Sequence, residues 1–221
     1  MTYSSLHTGK TATHCWALIP LKTPGLGKTR LSARLSSDDR KHLVETMLSG
    51  VIDALIASRL VDHIAIVSMN ADHCPPGVLH INDPGSDLNG ALTHANQQLQ
   101  MIGARELLVL HADLPLIDSN DIDTFINAGR QQHIALASDH HGTGTNAIYL
   151  RQPNNFTFSF GHDSLARHLS QAEERGLKPA FSQAWGLQFD LDTEQDLHCL
   201  NTINLPHSRP QLPAHWSLSH A

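Results

Sequence analysis

The chain has 221 residues, 40% hydrophobic and 16% charged, which fits one globular domain with a sizeable core and excludes a disordered chain. Its formal net charge of −6 excludes a broad basic face for nucleic acid, but leaves room for a local basic loop that holds one nucleotide. No apolar run reaches the length of a membrane span, and Met1–His14 is polar without a signal-peptide core.

The first strong apolar run, Cys15–Leu21, reads as a buried strand. A Gly/Pro loop, Thr23–Thr29, follows it. Asp38–Ser58 reads as a helix with Leu43, Met47, Val51 and Leu55 on one face, capped by Ser36 or Ser37. His63–Ser68 and Val78–Ile81 read as strands. Leu88–Met101 reads as a helix with the stripe Leu88, Leu92, Ala95 and Leu99. Glu106–His111 reads as the next strand, and Pro115 marks a loop after Asp113.

Ser119 reads as the cap of a helix ending near Ala128. His133–Ser138 and Thr145–Leu150 read as strands across the loop Asp139–Gly144. Ser164–Arg175 reads as a helix closed by Gly176, Leu187–Leu191 as a last strand and Thr193–Asn201 as a last helix. Alternating strands and helices predict one α/β domain over residues 14–205, with a mostly parallel central sheet covered by helices on both faces. Residues 1–13 and 206–221 read as frayed tails.

The three cysteines, Cys15, Cys74 and Cys199, are too scattered for a disulfide framework or a zinc site, which suits a reducing cytoplasm. The 17 histidines are also scattered, and the adjacent pair His140–His141 reads as a solvated turn. His111, His162 and His168 read as surface or packing histidines before catalytic ones.

In an open α/β sheet, ligands sit beyond the carboxyl ends of the strands. Lys22, Gly25, Gly27, Lys28 and Arg30 follow the first strand. Their segment KTPGLGKT is not a P-loop, because that motif needs glycine where Lys22 stands. Two glycines and three cations after a buried strand still favour a phosphate-binding loop over an idle one. Asp113, in LVLHADLPL, would alone read as a turn cap. Asp190 and Asp192, in FDLDTEQDL, are equally ambiguous, and Asp192 could simply cap the last helix. Together the three carboxylates fit an Mg²⁺ site, since that ion takes one or two protein carboxylates and completes its shell with phosphates and water. Thr145 in GTGTNA, with Gly161 and Ser164 in FSFGHDS, offers an anion site near a helix N-terminus; a plain cap is the competing account of Ser164.

The ordered set LIPLK…GKTRLS, DPGSDLNGAL, LVLHADLPL, GTGTNA, FSFG-x-x-S and FDLDT-x-x-DL, from about Trp16 to about Leu200, resembles the 2-phospho-L-lactate guanylyltransferase family. Some members of that family use phosphoenolpyruvate or 3-phospho-D-glycerate. The resemblance implies a single-domain GT-A-like (Rossmann-like) nucleotidyltransferase fold. It implies transfer of GMP from GTP to the phosphate of a small phosphorylated carboxylic acid, with release of pyrophosphate, in coenzyme F-420 biosynthesis. It carries the acid site onto Thr145, Gly161 and Ser164, and the metal aspartates onto Asp113 and either Asp190 or Asp192. Related sequences usually read G-L-N where this chain has Asp87-Leu88-Asn89, so a left-handed backbone is one expectation for Asp87.

On this reading Lys22, Lys28 and Arg30 serve the triphosphate, together with Gly25 and Gly27. Asp87 and Asn89 would contact the guanosine, and Mg²⁺ is the cofactor. Neither nucleic acid nor membrane is an expected partner, and the sequence admits a homodimer. The rival readings are a nucleotidyltransferase of the same fold acting on a sugar phosphate or molybdopterin, and a GTP-binding regulatory module without catalysis.

Overall fold

The computed structural model describes residues 14–22, 28–85 and 87–202. The expected tails, and the loop positions Gly25 and Gly27, lie outside the described residues.

The strands are β1 (Cys15–Pro20), β2 (His63–Ser68), β3 (Leu79–Asn82), β4 (Glu106–Leu110), β5 (Ile134–Ser138), β6 (Thr145–Arg151) and β7 (Ala180–Phe181). Among the described residues they form one 7-stranded sheet in the order β3-β2-β1-β4-β6-β5-β7. β1 pairs in parallel with β2 and β4, and β2 with β3. β6 runs antiparallel to both β4 and β5, and β7 joins β5 in parallel.

Both sheet faces are buried, so central strands are apolar throughout rather than alternating with polar residues. The alternation shows instead in which layer each side chain enters. Ala17, Ile19, Leu108, Leu110, Ala147 and Tyr149 enter one layer, while Leu18, Leu107, Val109 and Ile148 enter the other. Helices α1 (Ser37–Ala57) and α3 (Ser119–Gln132) close the first layer with Val51, Leu55, Phe125 and Ile126. Helices α2 (Leu88–Met101) and α4 (Ser164–Glu174) close the second, joined by Phe156, Phe158 and Phe160. Each fully buried Leu, Ile or Phe contributes roughly 1.5–3 kcal/mol of transfer free energy. A third cluster ties Leu43 and Met47 of α1 to Phe189, Leu191 and helix α6 (Glu194–Thr202).

Caps set the helix starts. Ser36 and Asp39 form a reciprocal capping box on α1. Asp118, rather than Ser119, caps α3 by accepting from the Asp121 N–H at 2.9 Å. α3 also continues past Ala128 to Gln132 and stops where His133 turns left-handed at φ 66°. The expected strand Leu187–Leu191 is a correction. Trp185–Gln188 is a single helical turn, α5, and Phe189–Asp192 is irregular. Leu187, Phe189 and Leu191 are buried, which gives the strand-like period of two. The backbone, however, bonds to a loop and a side chain instead of a ladder: Leu191 N–H donates to the Asp113 carbonyl, and Gln188 C=O accepts from Asn146 Nδ2.

α4 carries a fully buried imidazole. His168 is 0% exposed, and its Nε2 accepts the Ser159 N–H at 3.0 Å. Its ring stacks on Phe156 and meets Phe160 edge-on. Burial, with smaller contributions from Arg167 and His111, pushes its pKa from 6.5 down to about 4.

Two outcomes follow from this packing. A Cβ at Gly129 would lie 2.1 Å from Cδ1 of the buried Tyr149 ring. Gly129→Ala therefore destabilises by about 1–3 kcal/mol through overpacking, against a gain of at most about 1 kcal/mol in helix propensity. A urea midpoint at or above wild type would show that the ring yields freely. The second outcome concerns acid. His168 binds its proton in the unfolded chain near 6.5 but in the folded chain only near 4, so the unfolded state gains protons first as pH falls. Its contribution is complete above the unfolded value and is lost downward through that window, at up to about 1.4 kcal/mol per pH unit. Urea unfolding at a series of pH values should show a shallower acid slope for His168→Gln than for wild type.

Candidate active site

β1 and β4 end side by side, because they pair in parallel with Leu18 opposite Val109. The chain leaving β1 delivers Lys22 and, further on, Lys28 and Arg30; the chain leaving β4 delivers His111 and Asp113. β6 is reversed, so its first residue, Thr145, lies at the same edge, beside the His111 N–H that donates to the Asn146 carbonyl.

Lys28 sits at the centre. Its Nζ lies 2.5 Å from Asp113 Oδ2 and 2.5 Å from Asp192 Oδ1. Its backbone is left-handed, φ 55°, at the entry to a 3₁₀ turn, Thr29–Leu31, that carries exposed Arg30 and anchors on buried Leu31. Burial lowers the affinity of the Lys28 amine for its proton. Asp113 and Asp192 outweigh that effect, and its pKa is pushed up to about 12. Burial alone would raise the Asp113 carboxyl, but Lys28, helped by His111, holds it below its ordinary value. Lys28 is thus a cation and Asp113 an anion at neutral pH.

The other Asp113 oxygen, Oδ1, is buried and has no hydrogen-bond partner among the described residues. An unfilled anionic oxygen is costly unless something electropositive meets it. Asp190 lies close enough to Asp113 and Asp192 that both, after burial itself, raise its pKa. Three carboxylates with one unfilled oxygen are hard donors of the kind Mg²⁺ accepts. No group of three or more His, Cys, Asp or Glu among the described residues is arranged to cage a metal by itself. An ion here would depend on phosphate oxygens for part of its shell.

Asp190 and Asp192 are set apart by their neighbours. Asn146 Nδ2 donates to Asp190 Oδ1 at 3.2 Å, and His140 Nδ1 lies 3.2 Å from the same oxygen. His140 Nε2 lies 3.3 Å from Asp196 Oδ1, and the ring packs on His141 and Phe189. The expectation of a solvated turn at His140–His141 is therefore corrected for His140, whose side chain is 14% exposed. Two carboxylates and an aromatic wall draw it inward, and nothing in the local sequence signals those distant partners. Asp192 does not cap α6; Thr193 and Asp196 do so reciprocally, and the Asp192 N–H donates to Asp196. That leaves the Asp192 side chain facing Lys28.

Thr145 and Ser164 meet at the buried start of α4. Ser164 Oγ lies 3.2 Å from Thr145 Oγ1, which lies 3.1 Å from His168 Nδ1. Ser164 is not the cap of α4. The cap position is Asp163, left-handed at φ 52° with no side-chain bond to the helix, and Ser164 is the first helical residue, buried. Gly161 takes φ 114°, a conformation that only glycine adopts without strain, and its carbonyl accepts the Ser164 N–H. The FSFG segment is fixed from α2: Asn89 Nδ2 donates to the Phe160 carbonyl, and Asn89 Oδ1 accepts the Phe160 N–H at 2.7 Å. Asp87 is extended at φ −68°, so no left-handed geometry is needed there; it caps α2 by accepting the Gly90 N–H at 2.8 Å.

Two cavities open at this edge. One, of about 300 Å³, is lined by Lys22, Lys28, Leu88, His111, Asp113 and Asp192. The other, of about 410 Å³, shares Lys22 and Leu88 and continues to Met69, Asp83, Gly85 and Asp87.

Residues 15–203 match the family described as "Guanylyl transferase CofC like". The chain is 40% identical over 185 residues to the phosphoenolpyruvate guanylyltransferase of Sphaerobacter thermophilus, covering 82% of this chain and 89% of that protein. It is 32% identical to the 2-phospho-L-lactate guanylyltransferase of Methanothermobacter thermautotrophicus, covering 81% of each. Among solved structures, a putative nucleotide-diphospho-sugar transferase from Desulfovibrio desulfuricans superposes with a TM-score of 0.70 at 19% identity, covering 88% of this chain and 89% of that one. A 4-diphosphocytidyl-2C-methyl-D-erythritol synthase gives 0.57 at 16% identity, covering 85% and 97%. The structural likenesses speak for a nucleotidyltransferase-like fold, and the sequence likenesses narrow it further. The chain belongs to the family of CofC-like guanylyl transferases and is a nucleotidyltransferase.

Proposed function

We propose that the enzyme transfers GMP from GTP to the phosphate of a three-carbon phosphorylated acid (phosphoenolpyruvate, 2-phospho-L-lactate or 3-phospho-D-glycerate), releasing pyrophosphate, as a step of coenzyme F-420 biosynthesis. The observation that carries the reading is the juxtaposition at one sheet edge of the Lys28–Asp113–Asp192 cluster and the buried hydroxyl pair Thr145–Ser164. A polyphosphate and a second, smaller anion can then lie side by side. The names of the sequence relatives, one acting on phosphoenolpyruvate and one on 2-phospho-L-lactate, support the acceptor class.

The reaction is an in-line displacement. A phosphate oxygen of the acid forms a bond to the α-phosphorus of GTP. The bond from that phosphorus to the bridging oxygen breaks, and pyrophosphate leaves with the electron pair. An acceptor phosphate is largely ionised near neutral pH, its second pKa being about 6, so no side-chain base is required. The protein's work is positioning and charge neutralisation.

Lys22 and Lys28 on the cavity wall, with Arg30 and the backbone of Gly25 and Gly27, are assigned to the triphosphate. Thr145, Ser164 and the turn at Gly161 are assigned to the acid. Asp113, with Asp190 or Asp192, would hold Mg²⁺. The ion, when bound, neutralises charge on phosphate oxygens and steadies the departing pyrophosphate. Asp87 and Leu88 border the second cavity, where the guanosine would lie; Asn89 follows them at the start of α2, with its amide held by the Phe160 backbone.

Pyrophosphate release with GTP, Mg²⁺ and each acid in turn tests the reading, with a sugar 1-phosphate as the contrasting acceptor. One of the three acids should support turnover and the sugar phosphate should not. Asp113→Ala should lose on the order of 10²–10³ in turnover in protein that is still folded at the assay temperature, although stranding the Lys28 ammonium lowers its thermal midpoint. Wild-type turnover from folded Asp113→Ala protein would remove that residue from the chemistry.

A further inference from the structure

We propose that His168 is a positioning residue of the acid subsite: its neutral imidazole turns the Thr145–Ser164 hydroxyl pair into a net hydrogen-bond donor. The role rests on the assignment of Thr145 and Ser164 to the acid. The Ser159 backbone N–H can only donate, so His168 Nε2, 3.0 Å away, must accept and carry no hydrogen. A neutral imidazole has one N–H, which therefore sits on Nδ1. That N–H points at Thr145 Oγ1, 3.1 Å away.

Thr145 Oγ1 and Ser164 Oγ, 3.2 Å apart, share one more hydrogen bond. Their two hydroxyls own two protons, and one lies between them. With His168 donating into Thr145, the second proton is left for a ligand. With the opposite tautomer the imidazole would take the Thr145 proton, Ser164 would donate to Thr145, and the pair would offer only lone pairs. A carboxylate or phosphate is bound by donors and repelled by lone pairs. The choice of tautomer is thus the choice between an anion site and its reverse.

The surroundings hold that choice. Thr145 is 3% exposed, Ser164 1% and His168 0%, which leaves little access for water to exchange the roles. Phe156 and Phe160 flank the ring and fix its plane. The Phe160 backbone is itself clamped by Asn89. His168 is separated from the acid by the hydroxyls it orients, so it positions and does not react.

Substitutions that each keep one half of the imidazole separate this role from packing. In His168→Asn the amide N–H replaces Nδ1–H toward Thr145; in His168→Gln the amide oxygen replaces Nε2 toward Ser159 and the donor to Thr145 is lost. With GTP and phosphoenolpyruvate, His168→Gln should raise the KM for the acid on the order of 10-fold, the worth of one hydrogen bond, with the KM for GTP unchanged. His168→Asn should leave the acid KM near wild type even if its thermal midpoint falls. Equal acid KM values in the two variants, or a GTP KM that rises in step, would overturn the role. Thr145→Ala is the control for the underlying assignment. If it leaves the acid KM unchanged, the acid subsite is elsewhere. If it raises that KM while His168→Gln matches His168→Asn, only the role of His168 falls. Imidazole ¹⁵N–¹H correlation spectra of the wild-type protein need no variant at all: a hydrogen on Nδ1 and none on Nε2 is expected, and the reverse pattern overturns the proposal.

Discussion

Strand β6 runs against its neighbours β4 and β5, and that reversal sets where the polar groups of the domain meet. Were it parallel, Thr145 would start at the far edge of the sheet, away from Asp113 and Lys22. Reversed, it begins beside the ends of β1 and β4, and the loop Asp139–Gly144 turns there too. The ladder is rigid because Ile148 and Leu150 pack into one layer and Ala147 and Tyr149 into the other. A one-residue slip would exchange those sets and bury Thr145 and Asn146 on the wrong faces. Packing of the apolar strand thereby fixes the hydroxyl and the amide at its start.

At that edge the dominant electrostatic fact is a nearly buried ammonium between two carboxylates. Lys28 is 8% exposed on its side chain, Asp113 25% and Asp192 45%. The inner pair resists solvent screening, while the half-exposed Asp192 contributes less. Removing one partner of such a buried pair typically costs about 3–5 kcal/mol, because the other charge is stranded. The cluster therefore couples the loop after β1 to the loop after β4 and to the segment before α6. Those are three chain stretches that share no backbone ladder at this point. On the proposed function its worth would lie in holding opposite charges close together where the triphosphate is received.

The proposed acid side differs: Thr145, Ser164 and His168 carry no net charge at neutral pH, and on the proposed reading they would bind by the direction of their protons. A site of this kind needs exclusion of water more than it needs cations, and the aromatic residues Phe156, Phe158 and Phe160 provide that dry wall. Asn89 and Gly161 then hold the wall in register, one by clamping the Phe160 peptide and the other by allowing a left-handed turn.

The sequence by itself determined the α/β class, the order of nearly all elements and the residues that flank the strand ends. Apolar runs such as Leu107–Leu110 and caps such as Ser36 are local signals, read within a few residues. It also suggested a strand at Leu187–Leu191, because alternate burial looks the same whether or not a ladder forms. Only the tertiary structure decided what those residues touch: that Asn146 and Asp113 hold that segment by side-chain and loop bonds, that Asp87 caps a helix, that His140 lies between Asp190 and Asp196, and that His168 meets Thr145. Each of those four facts, the cap at Asp87 excepted, joins residues more than twenty positions apart in the chain. Such contacts depend on strand order and direction, and a pattern of local periodicities carries no information about either.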